Sequence, residues 1–458
     1  MCVRAQYVNG FVHLPLHSLP VRVSARRCGN LLAVLGVAFG LAVTVGNTIG
    51  AGILRTPGTI AAQLPSFTPF IAVWIVGGVY ALLGANALAE LGTLLPRSGG
   101  QYVFVRRGLG DYAGFIVGWS DWISCCGSAA AVSIVVGEYA SLFAPFRGSI
   151  VVIALLMLAA TTFVQWRGIR AGGAAQNVTS LLKAIALLML VAACATLGHR
   201  IPWTATHATT HGSLMLAFIV SLQAVIYTYD GWSSTVYFGE EIRDPGRNIP
   251  RAMFGGVLSV IAIYLLINVA FLRIVPLGSI AGQNLAAGVV AQAMFGPNGA
   301  AIIRVLTIVA MLSAVNSNVL EAPRVLFAMS RDGLGWRGAA SVNAGGTPDV
   351  ALLASAALAA LFIVTDTFDT VIAKLAFFFV ANYTLSFTTL FVLRRRDPDA
   401  PRPYRAWGHP WTTGLALAAS IAFLAGAVYS DRESSLISLA LLFLSAPVYL
   451  VIRRRKRT

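Results

Sequence analysis

The sequence predicts an all-α membrane protein with twelve transmembrane helices, the first and sixth of them discontinuous. Three observations predict it: an apolar composition, a dozen apolar runs long enough to cross a bilayer, and the gathering of basic residues in alternate connections. Of 458 residues, 57% are hydrophobic and only 11% charged, whereas soluble domains carry ~25% charged residues. So little charge cannot keep a body of this size in water, which excludes a soluble enzyme and a disordered chain. The net charge of +16 does not indicate nucleic acid, because the basic residues sit between apolar runs instead of forming a stripe.

A spanning helix needs about 20 mostly apolar residues. Runs of that kind lie near 31–64, 70–95, 111–143, 149–165, 176–197 and 213–237. A second set follows near 252–276, 299–329, 350–364, 370–393, 411–429 and 435–452. With the amino terminus in the cytoplasm, 25 of the 33 basic residues fall in inside segments and four near outside ones. Arg55, Lys183, Arg304 and Lys374 lie in or at the edges of spans. That bias is what the positive-inside rule expects, and one missed span would scramble it. The expectation is a multi-pass protein of the cell membrane with both termini cytoplasmic.

The organisation follows from this count. Residues 1–30 form a cytoplasmic tail, 31–393 a ten-helix core and 394–458 two peripheral helices with a basic tail. The tail holds Pro15 and Pro20 and no apolar run, so no cleavable signal peptide is expected. Connections are too short for a catalytic or nucleotide-binding domain, and no GxxxxGK[ST] occurs. Cys2, Cys28, Cys125, Cys126 and Cys194 show no CxxC or metal spacing, so no metal and no cofactor are predicted. His199, His207 and His211 crowd one outer loop, but its Thr, Gly and Pro residues argue against a helix and for solvated side chains.

Two spans carry interruptions. The first contains Gly46-Asn47-Thr48-Ile49-Gly50-Ala51-Gly52-Ile53 and the sixth Tyr227-Thr228-Tyr229-Asp230-Gly231-Trp232. Small residues alone also serve close helix packing. An aspartate near the membrane centre costs roughly 2.5–3.5 kcal/mol on insertion scales unless it faces protein or water. Two five-span halves (31–197 and 213–393), each opening with an interrupted helix, have the layout of an inverted repeat. Unwinding frees N–H groups at one half-helix start and C=O groups at the other half-helix end. The first attract a carboxylate and the second an ammonium, which suits a zwitterion such as an amino acid.

Five motifs then carry a resemblance: VGNTIGAGI at 45–53, ELGTLLPRSGGQY at 90–102, YDGWSSTVYFGEEIRDPGRNIPRA at 229–252, SAVNSNVLEAPRVLFAMSRDG at 313–333 and RPYRAWGHP at 402–410. The chain resembles the amino acid–polyamine–organocation transporters, and within them the L-type amino acid transporter branch. The resemblance covers almost the whole chain and implies a leucine-transporter-type 5+5 inverted repeat plus two peripheral helices. It implies a secondary active transporter of neutral L-amino acids, working by sodium-independent exchange or proton coupling. A cationic amino acid or polyamine carrier is the alternative; against it, the pocket read from sequence has one acidic side chain, Asp230. A non-transporting membrane sensor would need an output domain, and an intramembrane enzyme a nucleophile–base or metal set within the spans.

The resemblance also implies roles. The amides around Ala51 and Gly52 would hold the substrate carboxylate. The Ile49, Tyr227 and Asp230 carbonyls would lie near its ammonium, with the Tyr227 ring as an outer gate. Glu240 and Glu241, with Pro245, Asn248 and Pro250, would form inner gating ion pairs with arginines, though alone they read as charges at a solvated helix end. Lys183, deep in an apolar run, needs a partner; the resemblance sets its ammonium where a cation would bind, near the first break and Ser313 or Asn316. A proton-coupling role for that ammonium and a purely structural one are the two readings left open. Arg55 stands where an apolar residue is expected and either reaches an outer vestibule or snorkels to the interface. Phe378, Phe379, Asn382 and Tyr383 either line the path or pack. The expected partners are an amino acid substrate and the lipid bilayer, with no nucleic acid. The loop 144–149 lacks the cysteine through which L-type animal members join a glycoprotein, so no disulfide-linked heavy chain is expected.

Overall fold

The computed structural model describes residues 31–143, 150–197, 213–365, 368–430 and 432–457. The amino-terminal tail, the 144–149 connection and the histidines at 199, 207 and 211 lie outside the described residues. The first run becomes α1 (Val37–Thr48) and α2 (Gly52–Gln63), bent by 44° across the glycine cluster. There follow α3 (Phe67–Leu94), the short α4 (Gln101–Leu109), α5 (Asp111–Ala140), α6 (Ile150–Trp166) and α7 (Ile169–Thr196). The sixth run yields α8 (Leu214–Thr228), which stops at the second interruption, and then a 3₁₀ turn over Ser234–Tyr237.

The second half continues with α9 (Pro245–Ile274), α10 (Leu277–Ile280), α11 (Ala286–Phe295) and α12 (Gly299–Arg331). It ends with α13 (Asp349–Thr365), α14 (Phe368–Arg396), α15 (Trp411–Ser430) and α16 (Arg432–Arg457). Pro245 opens α9, where its missing N–H costs nothing. Gly110, at φ +97, turns the chain between α4 and α5.

Among the described residues, eight helices are long and apolar enough to cross a membrane, and the bent α1–α2 pair makes a ninth if it is taken as one span. Three shorter apolar helices, α6, α8 and α13, accompany them. Large apolar side chains such as Leu156, Leu181, Met189, Met215 and Phe443 face outward, while Asn86, Glu90, Lys183 and Arg324 are buried. That inversion of the soluble pattern identifies a multi-pass membrane protein. Inside the bundle α3 packs on α9, α5 on α12 and α6 on α13, while α15 lies against α14 and α3, and α16 against α14 and α5.

Candidate functional site

The two interruptions meet. Gly231, at φ +102, approaches the first break so closely that a Cβ there would stand 2.8 Å from the Thr48 nitrogen and 2.9 Å from the Asn47 carbonyl carbon. Only glycine satisfies both the left-handed conformation and that approach. Tyr264 of α9 supports both ends: its hydroxyl lies 2.8 Å from the Thr48 carbonyl and 2.9 Å from that of Thr228. Its ring is held by Trp74 and Tyr229. The Asn47 amide donates to Ser234 Oγ at 2.9 Å and to both Glu321 oxygens at 3.2 Å, and accepts from Asn318 at 3.0 Å.

A cavity of about 570 Å³ opens at this junction. Ala51, Gly52, Tyr227 and Asp230 line it, as do Asn47, Gly50, Phe379 and Tyr383. Its lining puts the N-terminal turn of α2, whose first N–H groups have no earlier carbonyl in their own helix, across from the C-terminal end of α8. Tyr383 donates to Asp230 Oδ1 at 2.7 Å, so the aspartate side chain faces the cavity instead of capping a helix. Of the four tenth-span residues, Phe379 and Tyr383 line the space. Phe378 packs beside Ile123 and Ala131, and Asn382 accepts from Ser120 at 2.8 Å.

The expectation of a single acidic side chain in the pocket does not hold, because Glu138 and Glu321 line it with Asp230. Arg55 lines it too, 3.6 Å from Glu138, with side chains 30% and 38% exposed. Arg55 therefore faces the vestibule. The cavity reaches water at this pair, at the end of α5 opposite Asp111.

Lys183 and Ile49 stand behind the cavity, both fully buried and outside its lining. Lys183 Nζ donates to the Gly46 carbonyl at 2.8 Å and also to that of Ile49, so the two carbonyls freed by the first break receive an ammonium from α7. Ser313 Oγ reaches the Gly46 carbonyl at 3.4 Å. Asn316 is drawn elsewhere, bonding Gln165 at 2.5 Å and Gln176 at 2.7 Å.

The opposite end of the bundle is arginine-rich and closed. Glu241 is forked by Arg324 at 2.6 and 2.7 Å, both side chains buried to within 1%. Glu240 pairs with Arg331 at 2.8 Å, and Arg97 stands 3.8 Å from it. Arg97 and Arg106 both hold Asp332, at 3.0 and 2.6 Å. The chain before α1 is stitched to the segment after the sixth break, Leu35 exchanging backbone bonds with Glu241 and Arg243 at 2.8 Å. Two quoted motifs meet nearby, where buried Glu90 takes Arg394, Arg402 and the Ala406 amide. Burial pushes the Tyr404 phenol up to about 12, so it stays protonated and donates to Asn86 at 2.6 Å.

A helical membrane protein with two broken helices joined at a cavity has the architecture of a carrier. The Amino acid permease family model matches residues 30–451, and the chain belongs to that family. The Serine/threonine exchanger SteT of Bacillus subtilis is 30% identical over 430 residues, covering 92% of this chain and 97% of its own. The b(0,+)-type amino acid transporter 1 of Homo sapiens is 25% identical, covering 81% and 78%. The Large neutral amino acids transporter small subunit 2 of Rattus norvegicus is 27% identical, covering 81% and 72%.

Sequence reasoning missed Glu321, Asn47, Glu138 and Tyr264. Glu321 had a signal, since an acid inside an apolar span demands a partner just as Lys183 does. Asn47 pairs with side chains 187 and 274 positions away, which no local pattern announces.

Proposed function

We propose that the protein is a secondary amino acid transporter for neutral L-amino acids, working by sodium-independent exchange or proton coupling. The observation that carries the reading is the cavity between the start of α2 and the end of α8, where a carboxylate and an ammonium find opposite helix ends. The α-carboxylate is assigned to the Ala51 and Gly52 amides, and the ammonium to the Tyr227 and Asp230 side. Lys183 on the Gly46 and Ile49 carbonyls supports sodium independence, because its charge fills the place a cation would take. The named relatives, an exchanger and a large neutral amino acids transporter, agree with the substrate class.

The same reading takes twelve spans, counting the bent pair and the three shorter helices with the eight long ones. The packing of α3 on α9, α5 on α12 and α6 on α13 pairs each span with the one five later, which supports the 5+5 repeat over 31–197 and 213–393. With the arginine-rich end in the cytoplasm, the cavity faces outward, Glu240 and Glu241 close the inner gate, and both termini are cytoplasmic in the cell membrane. No enzymatic activity and no disulfide-linked heavy chain belong to this reading.

The test is uptake of labelled amino acids into proteoliposomes, with and without an internal amino acid and with and without sodium. Uptake of neutral amino acids that ignores sodium is the expected result. Strict sodium dependence, or uptake of polyamines alone, would overturn it.

A further inference from the structure

Glu321 is a buried acid at the floor of the cavity that neither the substrate assignment nor the gate uses. It lines the cavity, yet the residue is only 2% exposed. Among the described residues it forms no ion pair, and its carboxyl receives one amide nitrogen, Asn47 Nδ2, 3.2 Å from each oxygen. Ser234 Oγ is also within reach, but its own proton goes to the Gly231 carbonyl at 2.7 Å and one lone pair takes Asn47 at 2.9 Å. That hydroxyl is therefore left to accept, and a neutral Glu321 has a proton to give it.

The charges around Glu321 point the same way. Asp230 lines the same cavity from the sixth break and buried Asp121 of α5 lies within electrostatic reach, their carboxyls bonded by the Tyr383 and Tyr237 hydroxyls at 2.7 Å each. Arg324, one turn along α12, is the nearby cation, and both its forked nitrogens are committed to Glu241. Acids sharing one dry site cannot all be ionised, so a proton must enter when the cavity is closed from water.

We propose that Glu321 is the proton-carrying group of this transporter. The proposal rests on the amino acid transport reading and deepens it, choosing proton symport. A proton from water on the Arg55–Glu138 side forms an O–H bond on the Glu321 carboxylate. It crosses with the zwitterion and returns to water at the arginine-rich end, so one proton and one amino acid move together and nothing is oxidised or reduced. Asn47 ties this event to the substrate site. An ionised Glu321 accepts from Asn47 on both oxygens, whereas a protonated one turns one oxygen into a donor toward Ser234. Asn47 stands three residues before Gly50, so the carboxyl adjusts the break that presents the substrate amides.

The experiment uses proteoliposomes of the full-length protein loaded with a pH-sensitive dye, reading internal acidification and labelled amino acid uptake together. Their ratio is independent of how much protein is folded. The wild type should acidify the lumen when a neutral amino acid is added outside, and faster at outside pH 5.5 than 7.5. Glu321→Gln should lower the proton-to-amino-acid ratio at least ten-fold and flatten the pH dependence, and Glu321→Asp should restore the ratio with a shifted pH midpoint. Amino acid counterflow by the wild type with no acidification overturns the proposal and leaves the transport reading standing. A Glu321→Gln ratio equal to the wild type's also overturns it. Absence of any amino acid movement by the wild type overturns both.

Discussion

The two ends of the bundle close by different chemistry. At the arginine-rich end buried carboxylates are met by guanidiniums: Arg324 forks Glu241 at 2.6 and 2.7 Å, Arg394 forks Glu90, and Arg402 adds a single contact to Glu90 at 3.0 Å. At the other end Arg55 and Glu138, 30% and 38% exposed, stand 3.6 Å apart in the lining of the cavity. Exposed pairs contribute ~0–1 kcal/mol, whereas removing one partner of a buried pair costs ~3–5 kcal/mol. The asymmetry teaches that the observed conformation is held from its closed end, and that the open end is free to change.

The comparison breaks most severely at Arg324. Arg324→Ala strands a buried carboxylate and should cost ~3–5 kcal/mol, seen as a large drop in melting temperature in detergent and loss of uptake. The double variant Glu241→Gln with Arg324→Met should recover much of the melting temperature but not the transport rate, since an apolar replacement removes the stranded charge along with the gate.

Between the ends, Gly52→Val tests the cavity itself. A Cβ at position 52 already meets Thr228 Cγ2 at 2.9 Å, and overpacking of that kind costs ~1–3 kcal/mol. Uptake should fall at least ten-fold with the protein still folded; normal uptake would show that the carboxylate does not sit at these amides. Lys183→Ala leaves the Gly46 and Ile49 carbonyls without their donor, at ~1–3 kcal/mol. Slower transport with an altered pH profile is expected, and an unchanged rate and profile would make the lysine purely structural. The smallest effect belongs to Arg55→Gln, which should shift the melting temperature hardly at all and change uptake less than three-fold in high salt, where exposed pairs are screened.

The apolar helices and the two breaks were legible because each rests on local sequence. Apolar runs, the glycines at 46, 50 and 52 and the Asp230-Gly231 pair need no knowledge of partners. The arginine partners of Glu240 and Glu241 were half legible: the resemblance called for ion pairs, but only geometry selects Arg331 and Arg324 among many arginines. Asn316 was expected near the first break and is engaged by Gln165 and Gln176 instead, because α6 and α7 approach it more closely than the sequence order implies. The motif at 90–102 supplies Glu90 and the one at 402–410 the Ala406 amide that meets it, with Asn86 just upstream taking the Trp407 amide, so this pairing of motifs joins segments outside the cavity. The cavity floor needed geometry as well: Glu321 is an acid within an apolar run, but its partner Asn47 stands 274 positions away.

The Tyr264 hydroxyl has a single hydrogen and two claimants, the carbonyls of Thr48 and Thr228. At any instant it serves one of them; the Thr48 carbonyl also takes the Gly50 amide at 3.0 Å, so the Thr228 carbonyl leans on the hydroxyl more heavily. The two breaks are thus partners in a shared account with one deposit. One side chain of α9 thus braces both breaks at once, so Tyr264→Phe should disturb the end of α1 and the end of α8 together.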